Sequence, residues 1–157
     1  MVLDTYLIIR TLHVISSTIL FGTGIGIAFF MLRSHFTHDV SEKLYAARGT
    51  VLADYIFTLP AVIVQPATGL WLIWQGGYEW TELWLTMTYV IYIIAGACWL
   101  PVVWIQIQLK NILIKSAAEG TKLPARYYTL FKIWFVLGWP AFVGLAIVFF
   151  LMVLKPV

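Results

Sequence analysis

Charge is what this sequence has little of. Asp, Glu, Lys and Arg make up 11% of the 157 residues, against 62% hydrophobic ones. A soluble domain of that size cannot hide so much apolar surface, so the solvent around most of the chain is lipid. Cysteine is scarcer still: Cys98 stands alone, which excludes an internal disulfide and a cysteine-built metal cluster. No Walker loop, GxSxG, HExxH or CxxC occurs, leaving nucleotide-binding, serine-hydrolase and zinc-protease chemistry without support. The net charge of +3 does not point to nucleic acid, because the basic residues fall in short connections between apolar runs. A basic n-region and a small-residue cleavage site are both missing at the N-terminus, so the first apolar run is expected to be a retained helix and not a signal peptide.

What is present is four apolar runs, at about residues 6–32, 51–75, 83–109 and 127–154. Each exceeds the roughly 20 residues that cross a bilayer as a helix. The expected fold is all-α: a single transmembrane domain over residues 1–157, built as an integral membrane four-helix bundle. The first and third connections then share one side of the membrane, and with Lys132 they hold eight of the ten Lys and Arg residues. The positive-inside rule places them in the cytoplasm, with both termini and the middle loop outside. Trp71, Trp74, Tyr78, Trp80 and Trp84 crowd the middle loop and read as an outer aromatic belt, with Tyr45, Tyr127 and Tyr128 as a smaller inner one.

His13 is the residue to explain, because it is the one histidine inside an apolar run. Ionisable groups in a span are costly, usually face the bundle interior and mark functional sites. Arg10 lies three residues before it and Ser17 one turn after it, on one broad face. Gly22, Gly24 and Gly26 follow, leaving a smooth patch for a helix or a flat ligand. Two readings compete. His13 either hydrogen-bonds a neighbouring helix through Gln65 or Thr68, or it is an axial ligand to haem iron, since bundles house the ring well and neutral imidazole binds it. In the second reading Arg10 binds a propionate and Met87, at similar depth in the third run, is a candidate sixth ligand. A lone histidine excludes two bis-histidine haems.

Further along, Asp54 and Lys132 sit at comparable depth in the second and fourth runs, and an ion pair between them is expected, with a proton path as the alternative. His35, His38 and Asp39 form a possible metal cluster that reads better as solvated. The second run carries Thr58, Pro60, Gln65, Pro66, Thr68 and Gly69, and its two prolines free backbone carbonyls that a protein-lined interior must satisfy. Thr88 and Tyr92, one turn apart in the third run, face the same neighbour.

These residues also carry a resemblance. Arg10 with His13, then Thr58-x-Pro60 with Gly69, then Trp84-Leu85 opening the third run resemble, in order and depth, a group of small bacterial integral-membrane proteins of unassigned function. That group is similar to HemJ-type protoporphyrinogen oxidases and to the membrane domain of CopD copper-resistance proteins. The resemblance implies a bacterial inner-membrane protein with a haem b site at His13 and redox or electron-transfer chemistry. The residues themselves add Arg10, Ser17, Gly24, Gln65, Met87 and Thr88 as candidate cofactor-binding positions around that site. Where the oxidases carry a lysine just after the Trp-Leu pair, this chain has Thr88. The reading from a different class is a cofactor-free membrane subunit, small transporter or metal-handling protein. The expected partners are the lipid bilayer and a second copy or a larger membrane complex.

Overall fold

Four long helices account for the chain in a computed structural model that describes residues 4–156. They are α1 (Thr5–His35), α2 (Val40–Gly76), α3 (Leu83–Glu119) and α4 (Ala125–Leu154), each long and apolar enough to cross a membrane. All-α membrane architecture is therefore observed. Every helix outruns its apolar run, most of all α2, whose first turns were expected to be a polar connection. Polar turns continue a helix wherever water can solvate their side chains, so hydropathy marks the lipid-facing part and not the helix end. Glycine stops two of them: Gly77 ends α2 and Gly120 ends α3, both in the left-handed conformation that a side chain disfavours. Asp4 caps the start of α1, accepting from the Tyr6 amide.

The helices do not pack evenly. α4 lies along much of α3, α1 lies on the second half of α2, and the first half of α2 reaches α3, while α1 and α4 touch only briefly. Two dry clusters tie the bundle at its ends. At the end with the two basic connections, Met31, Ala47, Leu109, Leu113, Tyr127 and Phe131 form the larger one. At the middle-loop end, Ile73, Trp84 and Leu85 form the smaller. Tyr127 is thus core and not part of an interface belt, as is Trp84, while Trp74, Trp80, Tyr45 and Tyr128 do face outward.

α2 is irregular in one place. Asp54–Thr58 is a π-helical turn, in which the Leu59 amide donates to the Asp54 carbonyl five residues back. Pro60 supplies the reason: it has no N–H for the Ile56 carbonyl, and its ring crowds that oxygen. The turn ahead of it widens. On either side a single buried stripe runs through Lys43, Ala47, Thr50, Asp54, Thr58, Ala61 and Thr68, so α2 turns a row of polar groups towards the interior.

Candidate functional site

Two polar constellations lie on that stripe. The first surrounds His13 near the middle-loop end. Its Nδ1 is 2.9 Å from Thr68 Oγ1 and its Nε2 is 3.1 Å from Gln65 Nε2. The roles follow from what each partner can do. The Gln65 amide must donate to Nε2, so a neutral ring carries its proton on Nδ1 and gives it to Thr68. The Thr68 hydroxyl then donates to the Val64 carbonyl at 2.7 Å. Ser16 donates to Gln65 Oε1, closing the set. Of the two sequence readings of His13, the interhelical hydrogen bond is the one observed. Gly69 presses on the ring edge: a Cβ there would stand 3.1 Å from His13 Cε1.

Haem iron needs an imidazole nitrogen with a free lone pair. Here Gln65 holds one nitrogen and Thr68 takes the proton of the other. Nor do the remaining expected pocket residues gather. Arg10 is exposed and makes no hydrogen bond or ion pair among the described residues. Met87 is 39% exposed and turned outward. Thr88 is buried but donates to the Trp84 carbonyl of its own helix. Ser17 bonds the Val14 carbonyl, while its neighbour Ser16, not singled out in the sequence, faces the interior. The residues as arranged do not fit the group.

Asp54 is the centre of the second constellation, and here the expected ion pair is absent. Lys132 is exposed, and the one salt bridge among the described residues is Lys115–Glu119 on the surface of α3. The reason is angular. Distance along the chain suggests comparable depth for Asp54 and Lys132, but Lys132 lies on an exposed face of α4 while Asp54 is buried. Asp54 is instead 3% exposed, with Thr58, Gln106 and Trp99 as its polar neighbours. Asp54 Oδ2, Thr58 Oγ1 and Gln106 Oε1 are all buried without a hydrogen-bond partner. Gln106 was missed in the sequence, although a glutamine within the apolar run VVWIQIQL is a signal for it.

All three orphaned groups line one cavity of about 400 Å³ between the two dry clusters, where α1 and α4 part. Its wall is otherwise apolar and rich in aromatic side chains, among them Phe21, Tyr92, Trp99, Trp134, Trp139 and Phe142, and Gly24 opens its α1 side. Three of the expected pocket residues therefore face inward but in different places: Gln65 at His13, Gly24 at this cavity and Thr88 bonded to its own helix. The Tyr92 hydroxyl is already used, donating to the Val62 carbonyl at 2.8 Å. The mouth opens sideways, since the lining residues Ile25 and Phe29 of α1 and Trp139 of α4 are about half exposed.

At the basic end, Lys43 is 4% exposed and donates to the Ser34 and His35 carbonyls at 3.0 and 2.6 Å, capping α1. His35 stacks on Phe131 at 4.0 Å between ring centroids and is not the solvated group expected, while His38 is exposed. No cluster of three or more metal-ligating side chains forms among the described residues.

A family model matches residues 7–156 and describes a predicted integral membrane protein, DUF2269; the chain belongs to that family. No curated protein and no solved structure matches it. The comparisons thus carry membership of a membrane family, and they do not extend to the oxidases or to the copper-resistance domain.

Proposed function

We propose that this DUF2269 protein takes up a lipophilic molecule from the bilayer and holds that molecule's hydrogen-donating or positively charged end beside Asp54. One observation carries the reading: three polar groups, rich in acceptor oxygens, are orphaned on the wall of a single lipid-facing cavity. Leaving one such group unmet costs about 1–3 kcal/mol, and Asp54 Oδ2 and Gln106 Oε1 keep acceptor capacity that a ligand's donor can use. The volume suits an organic ring or chain. The detergent-purified protein tests this with three twelve-carbon probes. Dodecanol and dodecylamine should raise the thermal midpoint and dodecane should not, and Gln106→Leu should halve the shift or better. Equal shifts from dodecane and dodecanol would leave only a greasy crevice and end the proposal.

A haem-dependent redox role, the reading the resemblance implies, would need His13 to release Gln65 or Thr68. An absorption spectrum of the purified protein separates the two. For orientation we adopt the cytoplasmic placement of the basic connections, on the asymmetry of Lys and Arg. A cysteine introduced at Thr81 should react with an impermeant thiol reagent in intact cells and one at Ser41 should not. The reverse pattern would invert the topology.

A further inference from the structure

We infer that the ligand of the Asp54 cavity is a cationic amphiphile, an organic amine or quaternary ammonium on an apolar body, which competes with a proton for the Asp54 carboxylate. The inference rests on the reading of the cavity as a ligand site and narrows it. No lysine, arginine or histidine is among the residues that line the wall, and Lys132, the cation expected to pair with Asp54, is exposed. Inside a bilayer a carboxyl group with no countercharge is stable only when it holds a proton or when something positive arrives.

The rest of the wall is suited to such an arrival. Trp99, Trp134 and Trp139 put indole rings around the same space, and indole faces attract ammonium groups, more strongly where water is excluded. Gln106 Oε1 and Thr58 Oγ1 add neutral oxygens beside the carboxyl, so an ammonium N–H finds acceptors and a quaternary head finds negative potential. An anionic lipophile would meet a repelling acid. A zwitterionic phospholipid would bring a phosphate for which the wall has no cation. A bare metal ion would leave most of the 400 Å³ empty.

Competition with the proton follows from having one carboxyl and two possible occupants. The groups that face Asp54 are Thr58 on its own helix and Trp99 and Gln106 on α3. On the cavity wall, α1 and α4 contribute no titratable side chain, and the other one that α3 contributes is Tyr92. Lowering the pH therefore acts on the cavity through Asp54.

The test uses dodecyltrimethylammonium, dodecylamine and dodecanol on the full chain in detergent, read by quenching of the native tryptophan fluorescence. Both cations should bind at least tenfold tighter than dodecanol. Asp54→Asn, close in shape but without the charge, should bring all three to within about threefold while dodecanol binding persists. Dodecyltrimethylammonium, whose charge is permanent, should lose affinity as the pH falls, by up to tenfold per unit once the proton begins to win the carboxyl. If dodecanol binds as tightly as the cations, or if Asp54→Asn keeps the preference for charge, this inference falls and the broader reading stands. If none of the three binds, both fall. A thermal midpoint for Asp54→Asn at or above the parent's excludes misfolding as the cause of a loss.

Discussion

The two polar constellations on α2 are built from similar materials and differ in completeness. At one end of the buried stripe, Ser16, Gln65, His13, Thr68 and the Val64 carbonyl form a directed chain in which the interhelical donors and acceptors meet. At its middle, Asp54 and Thr58, with Gln106 of α3 beside them, each keep an unmet atom. Both are buried in lipid-embedded helices, where polar groups are expensive. A completed set is what one expects of a fastening between α1 and α2, and α1 does pack along the second half of α2. An incomplete set beside open space is what one expects of a site whose remaining partner comes from outside. The histidine that drew attention in the sequence is thus the better satisfied group, and the aspartate assigned to a salt bridge is the unfinished one.

The sharpest way to break this contrast is at the fastening. Gln65→Leu removes the donor to His13 Nε2 and the acceptor of Ser16 in one step. The loss should be about 1–2 kcal/mol of stability in detergent, the range for buried polar groups stripped of partners. His13→Leu should cost a similar amount, and the double change should be less than additive by about 1 kcal/mol, as for hydrogen bonds between membrane helices. The same His13 variant settles haem. Purified parent protein expressed with ample haem should show no Soret band. A Soret band that His13→Leu removes would mean that the ring turns away from Gln65, and the haem reading would replace the one proposed.

Much of this was legible in the sequence, and the parts that were not share a cause. Four spans, the pairing of His13 with Gln65 or Thr68 as one of two readings, and the irregularity of the second span all follow from residue type and distance along the chain. What distance along the chain does not give is azimuth. Ser16 and Ser17 differ by one residue, which on a helix is about 100°, and it is Ser16 that reaches Gln65. Met87 and Thr88 differ likewise, one exposed and the other buried. Lys132 fails for the same reason: the fourth run is apolar all round, so nothing in its pattern says which side meets α2.

The smallest effects should come from the acid and its supposed partner, and they probe the contrast from the other side. Asp54→Leu replaces an unmatched carboxyl with an apolar group of similar size, and removing an unsatisfied polar group of this kind is neutral or stabilising. The unliganded midpoint should hold or rise, by about 2–4 °C for each kcal/mol gained in a chain of this length. Gln65→Leu should move it the opposite way, although both changes put leucine on the same stripe. Lys132→Met should change stability by less than about 0.5 kcal/mol, as exposed substitutions generally do, and by the same amount whether residue 54 is Asp or Leu. That equality is the decisive quantity. A coupling of 1 kcal/mol or more between positions 54 and 132 would show that the lysine does reach the carboxyl. The cavity would then hold a completed ion pair, and the difference between the two constellations would vanish.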